Sequence, residues 1–393
     1  MKYQFSNRMS QVEASAIREL FKTTSQADII SFAGGNPSSD AFPVDAIKDI
    51  TTRILEEDPI SILQYGITEG YGPLISEAEK FFNRNEKVST DYDQAIITSG
   101  SQQIMEFAVK CLCNEGDYVL TEDPSFIGAL NCFRSQGVNL KGIGLKNGEL
   151  DLEELEKACV LKPKFIYVIP NFQNPSGLTM SLEIRKKLLE IAKKHQILIL
   201  EDNPYGDLRF EGDPIPSIKS MDEDGLVIYA ASLSKIIAPG MRIACCIGPK
   251  EIIAKFVIAK QVADIHSNLW SQRVMASFLK DYDMDAHLSR LKEIYKHKCS
   301  LMLKEMDQSF HKDVIYSRPQ GGMFIWVTFP DYVDVKKFVK EALDLGVAVV
   351  PGSSFAVDKD KEDHSIRLNF SMPSDEDIIK GVSILGDLTY KFI

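Results

Sequence analysis

Five short segments of the chain concentrate residues able to do chemistry. They are Ser99-Gly100-Ser101-Gln102, Asp123-Pro124-Ser125-Phe126, the stretch from Asn171 to Gly177, Asp202-Asn203-Pro204-Tyr205 and Ser232-Leu233-Ser234-Lys235. Lys235 offers an amine, which condenses with an aldehyde and, once displaced by another amine, serves as a general base. Read alone, this Ser-x-Ser-Lys string is far more often an ordinary surface lysine near a strand end. Asp202 closes the apolar run Ile197-Leu198-Ile199-Leu200-Glu201, and a carboxylate at that depth needs a cationic partner to offset its desolvation. Strand alternation points the neighbouring Glu201 to the opposite face. Gly100, Ser101 and Gln102 open a helical pattern directly after a strand-like run. The first N–H groups of a helix have no partner within it and its dipole favours an anion, although a plain N-cap serine reads equally well there. Asn174-Pro175 is, by itself, a common turn.

The elements that must position these segments recur with an α/β rhythm. Runs rich in β-branched residues start at Gln94, Asp117, Lys164, Ile197, Leu226 and Arg242, and read as buried strands. Between several of them lie helical patterns such as that beginning at Ser181, apolar at helical spacing and charged elsewhere, so a largely parallel sheet flanked by helices is predicted over residues 45–280. A charge-rich helical stretch follows, then a strand from Met323, a helix from about Asp334, and strands in VAVVPG and SIRLNF. Residues 281–393, joined by 1–44, are predicted to form a smaller α+β domain. Ligands of open α/β sheets sit beyond the carboxyl ends of the strands, where the five polar segments fall.

Composition narrows the classes. A chain of 393 residues, 44% hydrophobic, is long enough for two domains. Its formal charge of −11 provides no basic stripe for nucleic acid. Seven cysteines and six histidines show neither a CxxC pair nor zinc spacing, so no metal is expected and the thiols read as reduced and cytoplasmic. No secretory leader, no apolar run of about 18 residues and no internal repeat is visible.

Taken in order, the segments resemble the fold-type I pyridoxal-phosphate aminotransferases of class I and II, over nearly the whole chain. The resemblance implies a fold-type I α/β architecture and makes Lys235, in Ala231-Ser232-Leu233-Ser234-Lys235, the lysine that holds pyridoxal 5′-phosphate as a Schiff base. By the same resemblance Ser232, Ser234 and Arg242 hold the cofactor phosphate, and Gly100, Ser101 and Gln102 complete that site; two hydroxyls with a guanidinium suit a dianion. Asp202 would keep the pyridine nitrogen protonated, so that the ring acts as an electron sink. Tyr205 and Asn174 would hydrogen-bond its 3′ oxygen, and Phe126 would stack on the ring. Arg367, in Ser365-Ile366-Arg367-Leu368, would clamp the substrate α-carboxylate, while Gly35, in Gly34-Gly35-Asn36-Pro37, would line the substrate pocket. Tyr65 resembles the tyrosine that reaches the neighbouring subunit's cofactor phosphate, which implies a homodimer with shared active sites.

Within the group, ASAIREL, IISFAGGNP, FQNPSGLTM, EDNPYGDLRF and PGSSF are most similar to the aminoadipate/kynurenine aminotransferase branch. There Arg18 stands where the branch reads a distal carboxylate, and Asn36 replaces the usual apolar residue. The implied reaction moves an amino group from a 2-aminoadipate, aromatic or branched-chain 2-amino acid to a 2-oxo acid, 2-oxoglutarate being the expected acceptor, by a ping-pong mechanism. Three other readings compete. A winged-helix regulator with an aminotransferase-like domain is disfavoured, because the cofactor domain is expected to begin near the first residue. A C–S lyase or decarboxylase on the same scaffold shares the cofactor chemistry. A silent binding protein would be expected to lack Lys235 or Asp202.

Overall fold

The β-branched runs are strands because both faces of each are covered. In the computed structural model, which describes residues 3–10, 29–359 and 363–393, β1 is Ile30–Ser31 and seven further strands form the main sheet. These are β2 (Asp93–Thr98), β3 (Tyr118–Glu122), β4 (Asn139–Ile143), β5 (Phe165–Val168), β6 (Leu198–Asn203), β7 (Val227–Ser232) and β8 (Ala244–Pro249). Their order is β2-β8-β7-β6-β5-β3-β4. β8 runs antiparallel to both neighbours, β2 and β7, while the other pairs are parallel. Every residue of β5 and β7 is buried, which explains why these runs are continuously apolar rather than alternating.

Helices cover this sheet. In α1 (Ser101–Leu112) the buried positions Ile104, Met105, Phe107, Ala108 and Val109 face the core. α2 (Leu182–His195) starts on Ser181, whose hydroxyl accepts from the Ile184 N–H, and ends on left-handed Gln196 with three basic residues in its last turn. Leu188 of α2 is fully buried, so Leu188→Ala would cost about 2–5 kcal/mol. α3 (Lys250–Ala263) follows β8 directly.

After the 26-residue helix α4 (Met284–Ser309), the chain builds a second, antiparallel sheet. Its strands are β9 (Ile315–Tyr316), β10 (Phe324–Thr328), β12 (Val350–Pro351) and β13 (Ser365–Asn369), in the order β9-β10-β13-β12. β11 (Val347–Ala348) instead pairs in parallel with β1, Ile30 opposite Val347. The helix α5 (Asp375–Phe392) ends the chain and packs on α4. Among the described residues no helix is long and apolar enough to cross a membrane.

The sequence reading missed β4, whose Asn139-Leu140-Lys141-Gly142 lacks an apolar run because it is the sheet edge.

Candidate active site

The carboxyl ends of β5, β6 and β7 and the amino end of α1 surround one pocket of about 260 Å³. Its walls include Gly35, Ser101, Gln102, Phe126, Asn174, Asp202, Tyr205, Ser232, Ser234, Lys235, Arg242 and Arg367. Segments scattered over more than 330 positions of sequence thus meet in one place.

Lys235 follows β7 and its Nζ donates to the Gly35 carbonyl at 2.8 Å. Burial, with Arg367 and Arg242 nearby, lowers its amine to about 8, so the neutral, nucleophilic form is a minor but far larger fraction near neutral pH than for an ordinary lysine. Asp202 sits near the end of β6. Burial raises its carboxyl to about 7, against the opposing hydrogen bond from the Tyr167 hydroxyl, 2.8 Å from Oδ2. Oδ1 is buried with no hydrogen-bond partner. A buried acceptor left open beside a pocket is a place for a donor from a ligand. Glu201 turns the other way, as alternation requires, and accepts the Ile218 and Lys219 N–H groups at 3.0 and 2.7 Å.

The end of the pocket lined by Ser101 and Arg242 is built on a turn. Gly100, the N-cap of α1, has φ +82, and a Cβ there would collide with the Arg242 guanidinium. Only glycine lets Arg242 approach the helix start so closely. Arg242 is itself left-handed, with φ +56, and its Nη1 and Nη2 donate to the carbonyls of Pro239 and Ser99 at 3.3 and 3.2 Å. Ser101, Ser232, Ser234 and Arg242 therefore ring one end of the pocket with donors. Gln102 is tied to this wall through its Nε2, which donates to the Gly128 carbonyl at 2.9 Å.

Arg367 marks the other end. From the middle of β13 its Nη1 donates to Asn174 Oδ1 at 2.8 Å and its Nη2 to the Ala33 carbonyl at 2.6 Å, while Nε has no partner. The guanidinium lies 4.3 Å from the Phe324 ring centre and 4.8 Å from that of Phe355. Burial lowers its pKa to about 10, which still leaves it charged at neutral pH. Tyr205, its hydroxyl raised by burial, packs edge-on to Phe324 with ring centres 5.9 Å apart.

Of the described site residues singled out from sequence, Tyr65 and Gly100 are not among those lining this pocket, Gly100 standing behind the Arg242 guanidinium as the N-cap of α1. Tyr65 is 77% exposed, its ring edge-on to His266 at 5.7 Å. Arg18 lies outside the described residues. Ile169, Pro204, Pro239 and Phe324 also line the pocket, and Tyr167 stands behind Asp202, none of them carrying a role from sequence. Tyr167 carried a signal, since a tyrosine inside an apolar strand needs a partner for its hydroxyl. Glu122, at the end of β3, is also buried and raised to about 8, chiefly by burial; it accepts the Ile169 N–H at 2.8 Å.

The family model for aminotransferase class I and II matches residues 27–385. The chain is 37% identical to the aromatic-amino-acid aminotransferase 1 of Thermococcus litoralis, over 98% of this chain and 93% of that protein. It is 35% identical to the 2-aminoadipate transaminase of Thermus thermophilus, over 97% and 95% respectively. The crystal structure of Pyrococcus horikoshii kynurenine aminotransferase, in complex with PMP, superposes with a TM-score of 0.94 at 37% identity, covering 98% of this chain and 97% of that one.

Proposed function

Because this chain belongs to the class I and II aminotransferases, of fold type I, and takes pyridoxal 5′-phosphate as its cofactor, we propose how its own residues divide the work of transamination. The observation that carries the reading is the gathering of Lys235, Asp202 and Arg367 in one pocket, with a ring of phosphate-suited donors at its far end. When bound, the cofactor supplies an aldehyde that can carry an amino group and a ring that can accept an electron pair. Ser101, Ser232, Ser234, Arg242 and the amino end of α1 with Gly100 and Gln102 hold the phosphate. Phe126 would cover a face of the ring, and Asn174 and Tyr205 would hydrogen-bond its 3′ oxygen. The unpaired Asp202 Oδ1 would accept from the protonated ring nitrogen, a cation that would stabilise the charged carboxylate which burial alone disfavours.

Lys235 is the covalent anchor and, when displaced by a substrate amine, the base that moves the proton from the substrate Cα. Arg367 holds the substrate carboxylate, with Gly35 closing that side. The amino donor is proposed to be an aromatic, branched-chain or 2-aminoadipate-type acid and the acceptor 2-oxoglutarate, in two half-reactions of a ping-pong scheme. The relatives named above support this class of donor. Arg18 is proposed to read a distal carboxylate, and Tyr65 to serve the phosphate site of a second copy in a homodimer.

The domain division proposed is residues 45–280 against 281–393 with 1–44. It is supported by the confinement of the main sheet to the first and by the pairing of β1 with β11 across the second. A cytoplasmic location is proposed on seven cysteines that are all free thiols.

The test mixes the purified holoenzyme with single amino acids and follows loss of the cofactor's visible absorbance together with oxo-acid release. Aromatic acids and 2-aminoadipate should convert the cofactor. Turnover of short substrates such as alanine alone refutes the donor class, and release of a β-leaving group without oxo-acid exchange identifies the lyase alternative instead.

A further inference from the structure

An ion pair between a buried lysine and a partly exposed aspartate lies just behind the Arg242 end of the pocket. Lys260, in the last turn of α3, has a fully buried side chain. Its Nζ donates to Asp264 Oδ1 and Oδ2 at 2.9 and 3.0 Å and to Gln103 Oε1 at 2.8 Å. Asp264 Oδ2 also accepts from Gln103 Nε2 at 3.0 Å and from the Ser99 hydroxyl at 2.9 Å. Gln103 Oε1 accepts the Ser99 N–H at 3.0 Å. The Ser99 carbonyl takes Arg242 Nη2. Ser99 is therefore held at its N–H, its hydroxyl and its carbonyl, and it is the residue immediately before the Gly100 turn. Beyond Asp264, Ile265 adopts φ +67, a conformation that a β-branched residue rarely accepts, and this turn brings Ser267 within 3.2 Å of the Ser99 hydroxyl.

We propose that Lys260 and Asp264 are positioning residues for the cofactor phosphate: through Gln103 and Ser99 they fix the turn between β2 and α1 and, with it, the Arg242 guanidinium. An ion pair that costs a buried lysine its hydration is poor support for stability, because a hydrophobic side chain of similar volume often serves as well. Here the pair supplies something they cannot, which is orientation of the group that carries the phosphate donors. Its charge balance matters too. A carboxylate so near a phosphate dianion would repel it, and the Lys260 ammonium cancels that charge.

This inference rests on the phosphate-cradle reading given above. It is tested on the full-length chain stripped of cofactor, titrated in parallel with pyridoxal 5′-phosphate and with pyridoxal, which lacks the phosphate. Lys260→Met should weaken the phosphorylated ligand by roughly tenfold or more while leaving pyridoxal within about twofold, the loss expected for one charged hydrogen bond and its knock-on. Lys260→Met/Asp264→Asn, which removes the uncompensated charge, should recover part of that affinity. An equal loss for both ligands overturns the proposal, since the network would then act on general stability, and so does no loss for either. Should the Lys260→Met chain not fold, Ser99→Ala removes a single hydroxyl from the network, and an unchanged ratio of the two affinities in that variant overturns the proposal. Arg242→Ala separates the two layers. If it too leaves the ratio unchanged, the cradle reading has failed; if it lowers the ratio while Lys260→Met does not, only the positioning role has failed.

Discussion

Arg367→Lys keeps the charge at the substrate end of the pocket and removes the fork. Arg367 has five N–H donors, of which one goes to Asn174 Oδ1 and one to the Ala33 carbonyl, leaving three, including the unpartnered Nε–H, for a carboxylate. A lysine has three donors in all. Satisfying the same two protein acceptors leaves it one, so a two-bond clamp becomes a single bond. A charge-assisted hydrogen bond is worth roughly 1.5–3 kcal/mol, which corresponds to about 10- to 150-fold in kcat/KM for a 2-amino acid. The stacking of the guanidinium between Phe324 and Phe355 is lost as well, which places the expectation toward the upper part of that range. Steady-state kinetics with an aromatic donor and 2-oxoglutarate measure the loss, and cofactor titration provides the control, because Arg367 sits at the opposite end from the phosphate donors. A change in kcat/KM below about threefold, or an equal fall in cofactor affinity, would refute the clamp assignment.

Asp202→Asn keeps the shape but cannot hold a carboxylate beside the ring nitrogen; kcat should fall by about 10²–10³, read by single-turnover kinetics, and near-normal turnover would sink the electron-sink role. In the cofactor-free chain Lys235 titrates near 8, held down first by burial and then by Arg367 and Arg242. The rate of covalent cofactor capture should therefore rise roughly tenfold per pH unit below that value, as protonated amine is converted to free amine, and level off above it. An inflection near the ordinary lysine value of 10.5 would show that burial is not setting it. Mixing Tyr65→Ala chains with Lys235→Ala chains should give activity above the average of the two parents, because a hybrid dimer would pair an intact Lys235 in one copy with an intact Tyr65 from the other. Activity no higher than that average would place Tyr65 outside any shared site.

Much of this site was legible because its chemistry sits at strand ends, where periodicity locates it. The runs that lead to Asp202 and Lys235 are mostly apolar since β6 and β7 are covered on both faces, so the polar residues at their far ends had to lie near the sheet's carboxyl edge. The resemblance then supplied roles that spacing could not. Phe324 was hidden for the reverse reason: in Met323-Phe324-Ile325-Trp326 it is one apolar residue among several, and only pairing of β10 with β13 brings its ring under Arg367. Tyr167 was hidden because its partner, Asp202, lies 35 positions away, and Lys260 because its i,i+4 pairing with Asp264 reads as an ordinary helix-surface ion pair while the link to Gln103 spans 157 positions.

The charge states of the pocket describe its occupant more closely than any single residue does. Lys235, Arg242 and Arg367 bring three basic groups to a cavity whose one lining carboxylate among the described residues, Asp202, is itself pushed toward the neutral form. Proximity of the cations adds to burial in lowering Lys235, and burial alone explains the lowering of Arg367. Each of these perturbations is relieved by the same kind of guest. A phosphate dianion would answer Arg242, a carboxylate Arg367 and a ring cation Asp202, while an aldehyde would draw on the neutral fraction of the Lys235 amine that burial has enlarged. A guest carrying only one of these groups would leave the others strained, which is why the pocket calls for cofactor and amino acid together.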